Sequence, residues 1–155
     1  MGVSADNMTV LAYTLFGMPL IYNGQEGPLN KRLAFFDKDE IDWNGYQKQN
    51  FIKGLVQLKK DNPALWNGEY GAAPVFISQE SEDVIAYYRG DDKNAVLVVV
   101  NEGEETSNLE IALPFEGVWT DFDGAEGVEL VENKLVLEVP TKGYKIFVYD
   151  GNTAN

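Results

Sequence analysis

Hydrophobic positions near the start of the chain follow a helical pattern. Apolar side chains between Met8 and Phe16 lie nearly all round a helical cylinder, which predicts a helix buried on more than one side. Ser4 is the predicted N-cap residue, because its hydroxyl can accept a hydrogen bond from a free backbone N–H of the first turn. Gly17 and Pro19 predict that the helix ends at Phe16, since glycine favours the position after a helix and proline cannot continue one.

The next apolar run, Leu20-Ile21-Tyr22, has no polar alternation, which is typical of a strand buried on both faces in a parallel sheet. A parallel strand needs neighbours that are reached through crossover connections. No second candidate for a parallel strand of this kind, preceded and followed by a predicted helix, occurs elsewhere in the sequence. We therefore expect residues 20–22 to be irregular in this chain or to pair with another copy.

A second helix is predicted after residue 42, and it ends the first of two domains. Its apolar residues recur at helical spacing, and Asp42 or Asn44 is the expected N-cap. Gly54 lies inside this pattern at a cost of about 1 kcal/mol, which suggests that a neighbouring element approaches closely there. Asn62-Pro63 ends the helix, because the residue before a proline avoids helical geometry. We place the domain boundary here, which gives residues 1–62 and 63–155.

The second domain is predicted to consist of short antiparallel strands. Turn-forming residues separate apolar runs, several of which alternate between apolar and polar positions and so bury one face. Residues 96–100 are apolar throughout, which predicts a central strand. Seven or eight such strands favour an antiparallel sandwich. The predicted strands span residues 74–78, 84–89, 95–101, 107–113, 118–121, 127–132, 135–139 and 144–150.

Composition narrows the functional classes. The 155 residues include 25 acidic and 12 basic side chains, and the net charge of −13 repels phosphate backbones and anionic lipid. We therefore expect neither a nucleic-acid nor a membrane partner. The chain has no histidine and no cysteine, which removes Ser-His and Cys-His nucleophile pairs, imidazole and thiolate metal ligands, and disulfides. We predict no cofactor and no metal site, and secreted, periplasmic and cytoplasmic locations all fit this composition.

Two segments of the first third carry a family resemblance. The pattern Gly17-x-Pro19-x-Ile21-Tyr22-x-Gly24-x-Glu26 resembles the eighth barrel strand of alpha-amylase-type glycoside hydrolases. The run Lys31-Arg32-Leu33-Ala34-Phe35-Phe36, followed by Lys38-Asp39 and Ile41-Asp42-Trp43, is similar to the segment that these enzymes carry between that strand and their last barrel helix. The order of helix, strand, loop, helix and β-rich tail agrees along the whole chain.

The resemblance implies a mainly β chain. An antiparallel Greek-key β-sandwich, the domain C of these enzymes, would follow an αβα remnant of a (β/α)8 barrel. The parent enzyme would hydrolyse or transfer α-1,4-glucosidic bonds with retention, which requires two carboxyl groups about 5 Å apart. In the family the nucleophile, the acid/base and a third carboxylate follow the fourth, fifth and seventh barrel strands. None of them corresponds to a residue here, so we expect a truncated, inactive C-terminal fragment.

The loop after the predicted strand supplies the candidate site residues, which are Asn23, Gln25, Glu26, Lys31 and Arg32. In a barrel this loop lies at the C-terminal face, where active sites are built. We expect Glu26 to be a hydrogen-bonded structural carboxylate rather than a catalytic one. We expect Lys31 and Arg32 to pair with nearby acids rather than with sugar hydroxyls. The acidic residues between 37 and 42 miss the spacing of a calcium-binding EF-hand and are expected to form a solvated loop.

Aromatic side chains of the β-rich domain offer an alternative function, a stand-alone carbohydrate-binding module in which they stack on sugar rings. Aromatic residues on strands more often belong to the core, so we expect the domain to shield and stabilise the barrel instead. This structural role predicts an apolar patch on the helix of residues 4–16 and self-association of the chain through it. The aromatic residues concerned are Tyr70, Tyr87, Tyr88, Trp119, Phe122 and Tyr149.

Overall fold

The described part of the chain folds into two helices followed by eight strands. The computed structural model describes residues 5–27, 29, 31–43, 45, 48–77, 79–124, 127–130 and 132–151. Helices α1 and α2 span Ala5–Thr14 and Gln49–Asp61, and two short 3-10 turns, Pro63–Leu65 and Gly68–Tyr70, lead into the strands. The strands are β1 (Val75–Ile77), β2 (Val84–Gly90), β3 (Asn94–Asn101), β4 (Ser107–Ala112), β5 (Val118–Asp121), β6 (Gly127–Glu129), β7 (Lys134–Val139) and β8 (Tyr144–Asp150).

The strands form two antiparallel sheets. Six of them pair in the order β1-β2-β3-β8-β5-β6, and the other two pair as β4-β7. The register aligns Tyr87 with Val98 and Val98 with Ile146 across the centre of the larger sheet. The smaller sheet covers one face of the larger one, which gives the expected antiparallel sandwich.

Helices α1 and α2 cover the opposite face of the larger sheet, so the molecule has two hydrophobic cores. The core between the sheets contains Leu97 and Trp119, and the core between the larger sheet and the helices contains Val98 and Leu55. Strand β3 contributes alternate residues to each core, because successive side chains of a strand point to opposite faces. This two-sided burial explains why residues 96–100 are apolar at every position and confirms β3 as a central strand.

All eight predicted strands are present, and most differences in their bounds are one or two residues. The exception is β6, which ends at Glu129 instead of residue 132. Part of that predicted strand, Val131, lies outside the described residues, as do Ser78 at the end of the first predicted strand and Ser4 at the proposed cap of α1. Helix α1 ends at Thr14, two residues before the predicted end.

The prediction for the start of α2 is wrong. The helix begins at Gln49, and Asp42 lies well before it, while Asn44 lies outside the described residues. Lys48 occupies the N-cap position without a side-chain capping bond. Its backbone N–H donates to Glu26 O at 3.1 Å, and its Nζ pairs with Asp6 Oδ2 of α1 at 2.5 Å. Contacts with distant parts of the chain therefore set the start of this helix, and local capping chemistry does not.

Gly54 confirms the expected close approach within α2. A Cβ at this position would lie 3.1 Å from Cζ of Phe122, which is tighter than an ordinary van der Waals contact. Phe122 follows β5 and packs against the core between the helices and the larger sheet. The glycine thus lets α2 approach the end of β5.

Residues 20–22 are irregular, as expected for a strand without neighbours in this chain. Leu20 is 82% exposed, and Tyr22 is also exposed. The predicted apolar patch on α1 is only partly present, because Val10 and Tyr13 are buried against the sheet while Met8 and Phe16 are exposed. Most of the exposed apolar surface instead follows the helix. Among the described residues, no helix has the length and apolar character needed to cross a membrane.

Candidate functional site

The predicted site loop begins with a tight turn at residues 22–25. The N–H of Gln25 donates to Tyr22 O at 2.9 Å, and the N–H of Tyr22 donates to Gln25 Oε1 at 3.0 Å. These reciprocal bonds use the Gln25 side-chain oxygen to fix the turn. Asn23 lies at the tip of the turn and is exposed.

Glu26 lies between α1 and the segment that precedes α2. It is half-buried, and its carbonyl oxygen accepts the bond from Lys48. Burial raises the pKa of the Tyr13 hydroxyl, and the negative charge of Glu26 raises it further. Glu26 is therefore near enough to Tyr13 of α1 for its charge to act on that hydroxyl.

Lys31 and Arg32 differ in their surroundings. Lys31 Nζ pairs with Asp39 Oδ1 at 2.5 Å, and the same carboxylate accepts a bond from the N–H of Ala34 at 3.0 Å. The Lys31 hydrogen bond, followed by that of Ala34, lowers the pKa of Asp39. Arg32 is exposed. Within the described ranges, no hydrogen bond or ion pair joins Lys31 or Arg32 to Asn23, Gln25 or Glu26, so the five residues do not form one cluster.

The structure gives no support to a cation site in the acidic loop. In the part of the chain that the structure describes, no group of three or more acidic side chains is arranged to hold a metal ion. Asp39 is engaged by Lys31 and Ala34, and Lys38 forms an exposed pair with Glu40 at 3.6 Å.

A buried arginine lies at the junction between the helices and the sandwich. Arg89 of β2 is 0% exposed, yet every bond it makes is to a backbone carbonyl. Its Nη1 donates to Thr14 O at 2.9 Å and to Leu15 O at 3.2 Å. Because the last carbonyls of a helix have no partners within the helix, Arg89 satisfies them at the C-terminus of α1, where the dipole also favours a positive charge.

The same guanidinium holds the segment that connects α2 to the first strand. Nε donates to Ala72 O at 2.7 Å, Nη2 donates to Trp66 O at 2.8 Å, and Nη1 lies 3.4 Å from Leu65 O. The ring of Phe16 covers the guanidinium, with its centroid 4.6 Å from Cζ. One side chain of the sandwich therefore joins the end of α1 to residues 65–72.

Two further polar contacts attach α1 to the larger sheet. Thr14 Oγ1 and Tyr87 Oη lie 2.6 Å apart, and both residues are buried. At the other end of the helix, Asn7 Nδ2 donates to Asn101 O at 3.1 Å and to Glu102 Oε1 at 2.8 Å. The buried face of α1 is thus partly polar, and its polar groups contact β2, β3 and the residue after β3.

Sequence reasoning missed this junction. Arg89 follows Tyr87 by two positions in β2, so both point to the helix-covered face of the sheet. The available signal was the polar residues Asn7 and Thr14 in a helix predicted to be buried on more than one side, together with an arginine inside a strand rather than in a turn. That pattern indicates buried polar pairing only when the partner element is known.

Most of the aromatic residues considered for sugar binding belong to the cores, as expected. Tyr87, Trp119 and Tyr149 are buried, and Trp119 stacks with Tyr149 at a centroid distance of 5.3 Å. Tyr88 and Phe122 are half-buried. Tyr70 differs from all of them, because it lies before the first strand and is 74% exposed.

Comparison with known proteins identifies the sandwich. Residues 75–146 match the family model described as "Maltogenic Amylase, C-terminal domain". Alpha-amylase MalA of Haloarcula japonica is 30% identical over 122 residues, which cover 74% of this chain and 18% of the relative. The 1,4-alpha-glucan branching enzyme GlgB of Prochlorococcus marinus is 31% identical over 129 residues, 76% of this chain and 17% of the relative.

A solved structure supports the same fold. The maltogenic alpha-amylase AmyB from Thermotoga neapolitana superposes with a TM-score of 0.75 at 17% identity, covering 97% of this chain and 37% of that one. The sandwich therefore belongs to the family of amylase C-terminal domains, which confirms the resemblance seen in the sequence. The chain spans less than a fifth of the length of the two curated relatives.

Proposed function

We propose that these residues form the C-terminal part of an enzyme that acts on α-1,4-glucans, with residues 1–62 as the end of its barrel and 63–155 as a structural domain C. The family match of the sandwich supports this assignment, as do relatives named as an alpha-amylase and an alpha-glucan branching enzyme. Since one relative is named as an alpha-amylase and the other as a branching enzyme, the segment accompanies more than one kind of enzyme. The reaction of the parent is then decided by residues outside this chain.

The observation that carries the structural role is the bonding of Arg89. Its guanidinium donates to carbonyls at the end of α1 and to carbonyls of residues 65–72, so it joins the barrel-derived helix to the start of the sandwich. Burying a charge is costly unless hydrogen bonds compensate it, and here five carbonyl oxygens accept from it. A domain fixed to the barrel in this way would hold the last barrel helices in place.

We infer that the parent is a retaining enzyme and that this chain alone is inactive. Retention requires two carboxyl groups about 5 Å apart on either side of the scissile bond, and the family resemblance assigns neither of them to an acidic residue of this chain. The purified 155-residue chain should release no reducing sugar from soluble starch, whereas an enzyme carrying this segment behind a complete barrel should release it or transfer glucan. Measurable release by the chain alone would refute the assignment.

The loop of Asn23, Gln25, Glu26, Lys31 and Arg32 is proposed to lie on the substrate side of the parent barrel. Loops after barrel strands form the C-terminal face where substrates bind. The pairing of Lys31 with Asp39 supports a role in shaping this loop rather than in binding sugar. Glu26, half-buried near Tyr13, fits a structural carboxylate at the rim.

We also infer that the chain associates with a second copy of itself through exposed apolar side chains near α1. Met8 is exposed on α1, and Phe16 and Leu20 are exposed in the segment that follows it. Apolar surface of this extent favours contact with a second copy, although the net charge of −13 opposes it. Sedimentation in moderate salt should detect dimers that Leu20→Ser weakens. Val136→Ser, which changes an exposed residue of the sandwich, should have no effect. A wild-type chain that stays monomeric at every concentration would contradict this.

A further inference from the structure

We propose that a groove at the junction of the helices and the sandwich binds an α-glucan chain, with Tyr70 as its stacking surface. The groove has a volume of about 560 Å³ and runs between the segment after α2 and the turn that joins β2 to β3. Sites for small molecules usually measure about 300–1,000 Å³. The α-linkage of the ligand rests on the proposed function, whereas the sugar-binding character of the site rests on the groove itself.

Tyr70 presents an aromatic face from a rigid segment. The residue is 74% exposed and lines the groove. Two residues later, the N–H of Ala72 donates to Ala64 O at 3.1 Å, and Ala72 O accepts from Arg89 Nε at 2.7 Å. Between them, a Cβ on Gly71 would lie 1.8 Å from Trp66 O, so the backbone packs there as closely as only glycine permits. The ring is therefore exposed on a backbone that is held from both sides.

The opposite wall supplies hydrogen-bonding groups in fixed positions. Asp91 Oδ1 accepts bonds from the N–H groups of Lys93 and Asn94 at 2.9 and 3.2 Å, and these bonds lower the pKa of Asp91. The carboxylate is thus ionised near neutral pH, and both of these bonds are made to Oδ1. Glu69 and Lys93 add an exposed acceptor and an exposed donor at the edges of the groove.

The two walls are tied to each other by Asn94. Its Oδ1 accepts from the N–H of Ala64 at 3.0 Å, and its Nδ2 donates to Asn62 Oδ1 at 2.9 Å. Both partners belong to the segment after α2, whereas Asn94 begins β3. Because the amide bridges the walls, the width of the groove is fixed before a ligand arrives, which reduces the entropy lost on binding.

The chemistry of the lining favours a neutral, hydroxyl-rich ligand. Four carboxylates line the groove against one lysine, which disfavours anions. No group of acidic side chains in the described ranges is arranged to hold a metal ion, which disfavours a cation. A pyranose ring has an apolar face that stacks on an aromatic ring and hydroxyls that donate to carboxylates. The acidic residues are Asp61, Glu69, Asp91 and Asp150.

This groove differs from the apolar cleft on the other side of the connecting segment. That cleft, of about 520 Å³, is lined mainly by apolar surface from Tyr13, Met18, Pro19, Val56 and Trp66. It contains no carboxylate to accept from sugar hydroxyls. The groove at Tyr70 combines an exposed aromatic ring with acceptors, so it fits a sugar better than the cleft does.

Calorimetric titration of the full 155-residue chain with maltoheptaose tests the proposal. Wild type should bind, and Tyr70→Ala should weaken binding by about tenfold, because it removes the stacking surface. Tyr70→Phe keeps the ring and should stay within about threefold of wild type. Phe36→Ala removes an aromatic side chain that is 93% exposed but distant in sequence, and it should bind as wild type does. Circular dichroism of each variant reports whether it folds.

Chemical-shift mapping on the same samples locates the ligand. The amides of Gly71, Ala72 and Gly90 should shift on adding maltoheptaose and stay fixed on adding cellohexaose, whose β-linkages give a different chain shape. Absence of binding by wild type, equal binding by Tyr70→Ala, or shifts confined to other residues would each overturn the groove. Those results would leave the assignment of the parent enzyme untouched, because the starch assay tests it separately.

Discussion

Residues 16–45 and residues 75–150 contain similar kinds of apolar side chain, but they bury them to very different degrees. In the first region Phe36 is 93% exposed and Phe35 nearly as much. In the second, Leu97 and Trp119 have no exposed surface. The first region has no helix or strand in its described residues, whereas the second forms eight strands in two sheets.

The difference shows that hydrophobic composition alone does not make a core. In the strands of the second region, apolar residues either alternate with polar ones or occupy every position. The apolar side chains therefore lie together on the faces of the sheets that are buried. The first region has apolar clusters, such as Phe35 and Phe36, that no strand or helix of the described residues covers. Its fixed points are local, such as the turn at Tyr22 and the pair of Lys31 with Asp39.

Replacing the arginine of each region should give the largest difference in the free energy of unfolding between the two regions. The chain has two arginines, Arg32 in the first region and Arg89 in the second. Arg89→Met removes the donor for five carbonyls and should lower the free energy of unfolding by about 3 kcal/mol, since each buried group left without a partner is costly. Arg32→Met changes an exposed side chain and should alter it by less than about 0.5 kcal/mol.

Urea denaturation followed by circular dichroism measures both variants. Because the β-sandwich provides most of the signal, helix-specific probes should be added near α1, where Arg89 satisfies the last carbonyls. Equal midpoints for the two variants would mean that the buried guanidinium does not stabilise the junction. In that case the structural role proposed for domain C would lose its main support.

The strands were predictable from sequence, and the junction was not. The ends of strands can be predicted from nearby residues, because the pleat and the turn depend on local sequence. Examples are the turn at Asp123-Gly124 and the alternating apolar residues Leu135, Leu137 and Val139. The start of α2 depends on Glu26 and Asp6, which lie more than twenty residues away from Lys48. Arg89 is likewise explained only by carbonyls from distant segments. Non-local polar contacts leave no periodic signal.

Replacing the buried Tyr87 of the second region should change how the free energy of unfolding depends on pH. Burial raises the pKa of Tyr87 to about 12 from the ordinary value of 10.0, while the Thr14 hydrogen bond and the charge of Arg89 oppose the shift. A raised folded-state pKa stabilises the protein below pH 10, and this contribution is lost as the pH rises through 12. Tyr87→Phe should lose about 1 kcal/mol at neutral pH with the Thr14 bond, but it should become the more stable protein above about pH 11.

The exposed Tyr22 gives the matched control. Tyr22→Phe should leave the free energy of unfolding at neutral pH within about 0.5 kcal/mol of wild type, since this side chain is exposed and lies outside both cores. Tyr13 and Tyr144, whose pKa values burial also raises, remain in every variant and contribute to the decline of stability above pH 10 that all variants share. Unfolding curves recorded from pH 7 to 11.5 provide the comparison. If the Tyr87→Phe and wild-type curves stay parallel, the hydroxyl of Tyr87 is not the buried group whose titration destabilises the fold.

Lysine replacement should give the smallest difference, because both ion pairs concerned lie near the surface. Lys145 Nζ lies 3.0 Å from Asp121 Oδ2 in a half-buried pair, so Lys145→Met should cost about 0.5–1 kcal/mol. Lys31→Met breaks the more exposed of the two pairs, the one with Asp39, and should leave the urea midpoint unchanged within error.

The effect of Lys31→Met should appear instead in the titration of Asp39, whose pKa Lys31 lowers. A lowered folded-state pKa stabilises above the ordinary value of 3.8 and is lost as the pH falls. NMR titration of the carboxyl carbons should therefore show the pKa of Asp39 rising in Lys31→Met, and adding salt to wild type should move it in the same direction. An unchanged Asp39 titration would mean that the ion pair between Lys31 and Asp39 does not persist in solution. The two ends of residues 31–39 would then not be joined by this pair.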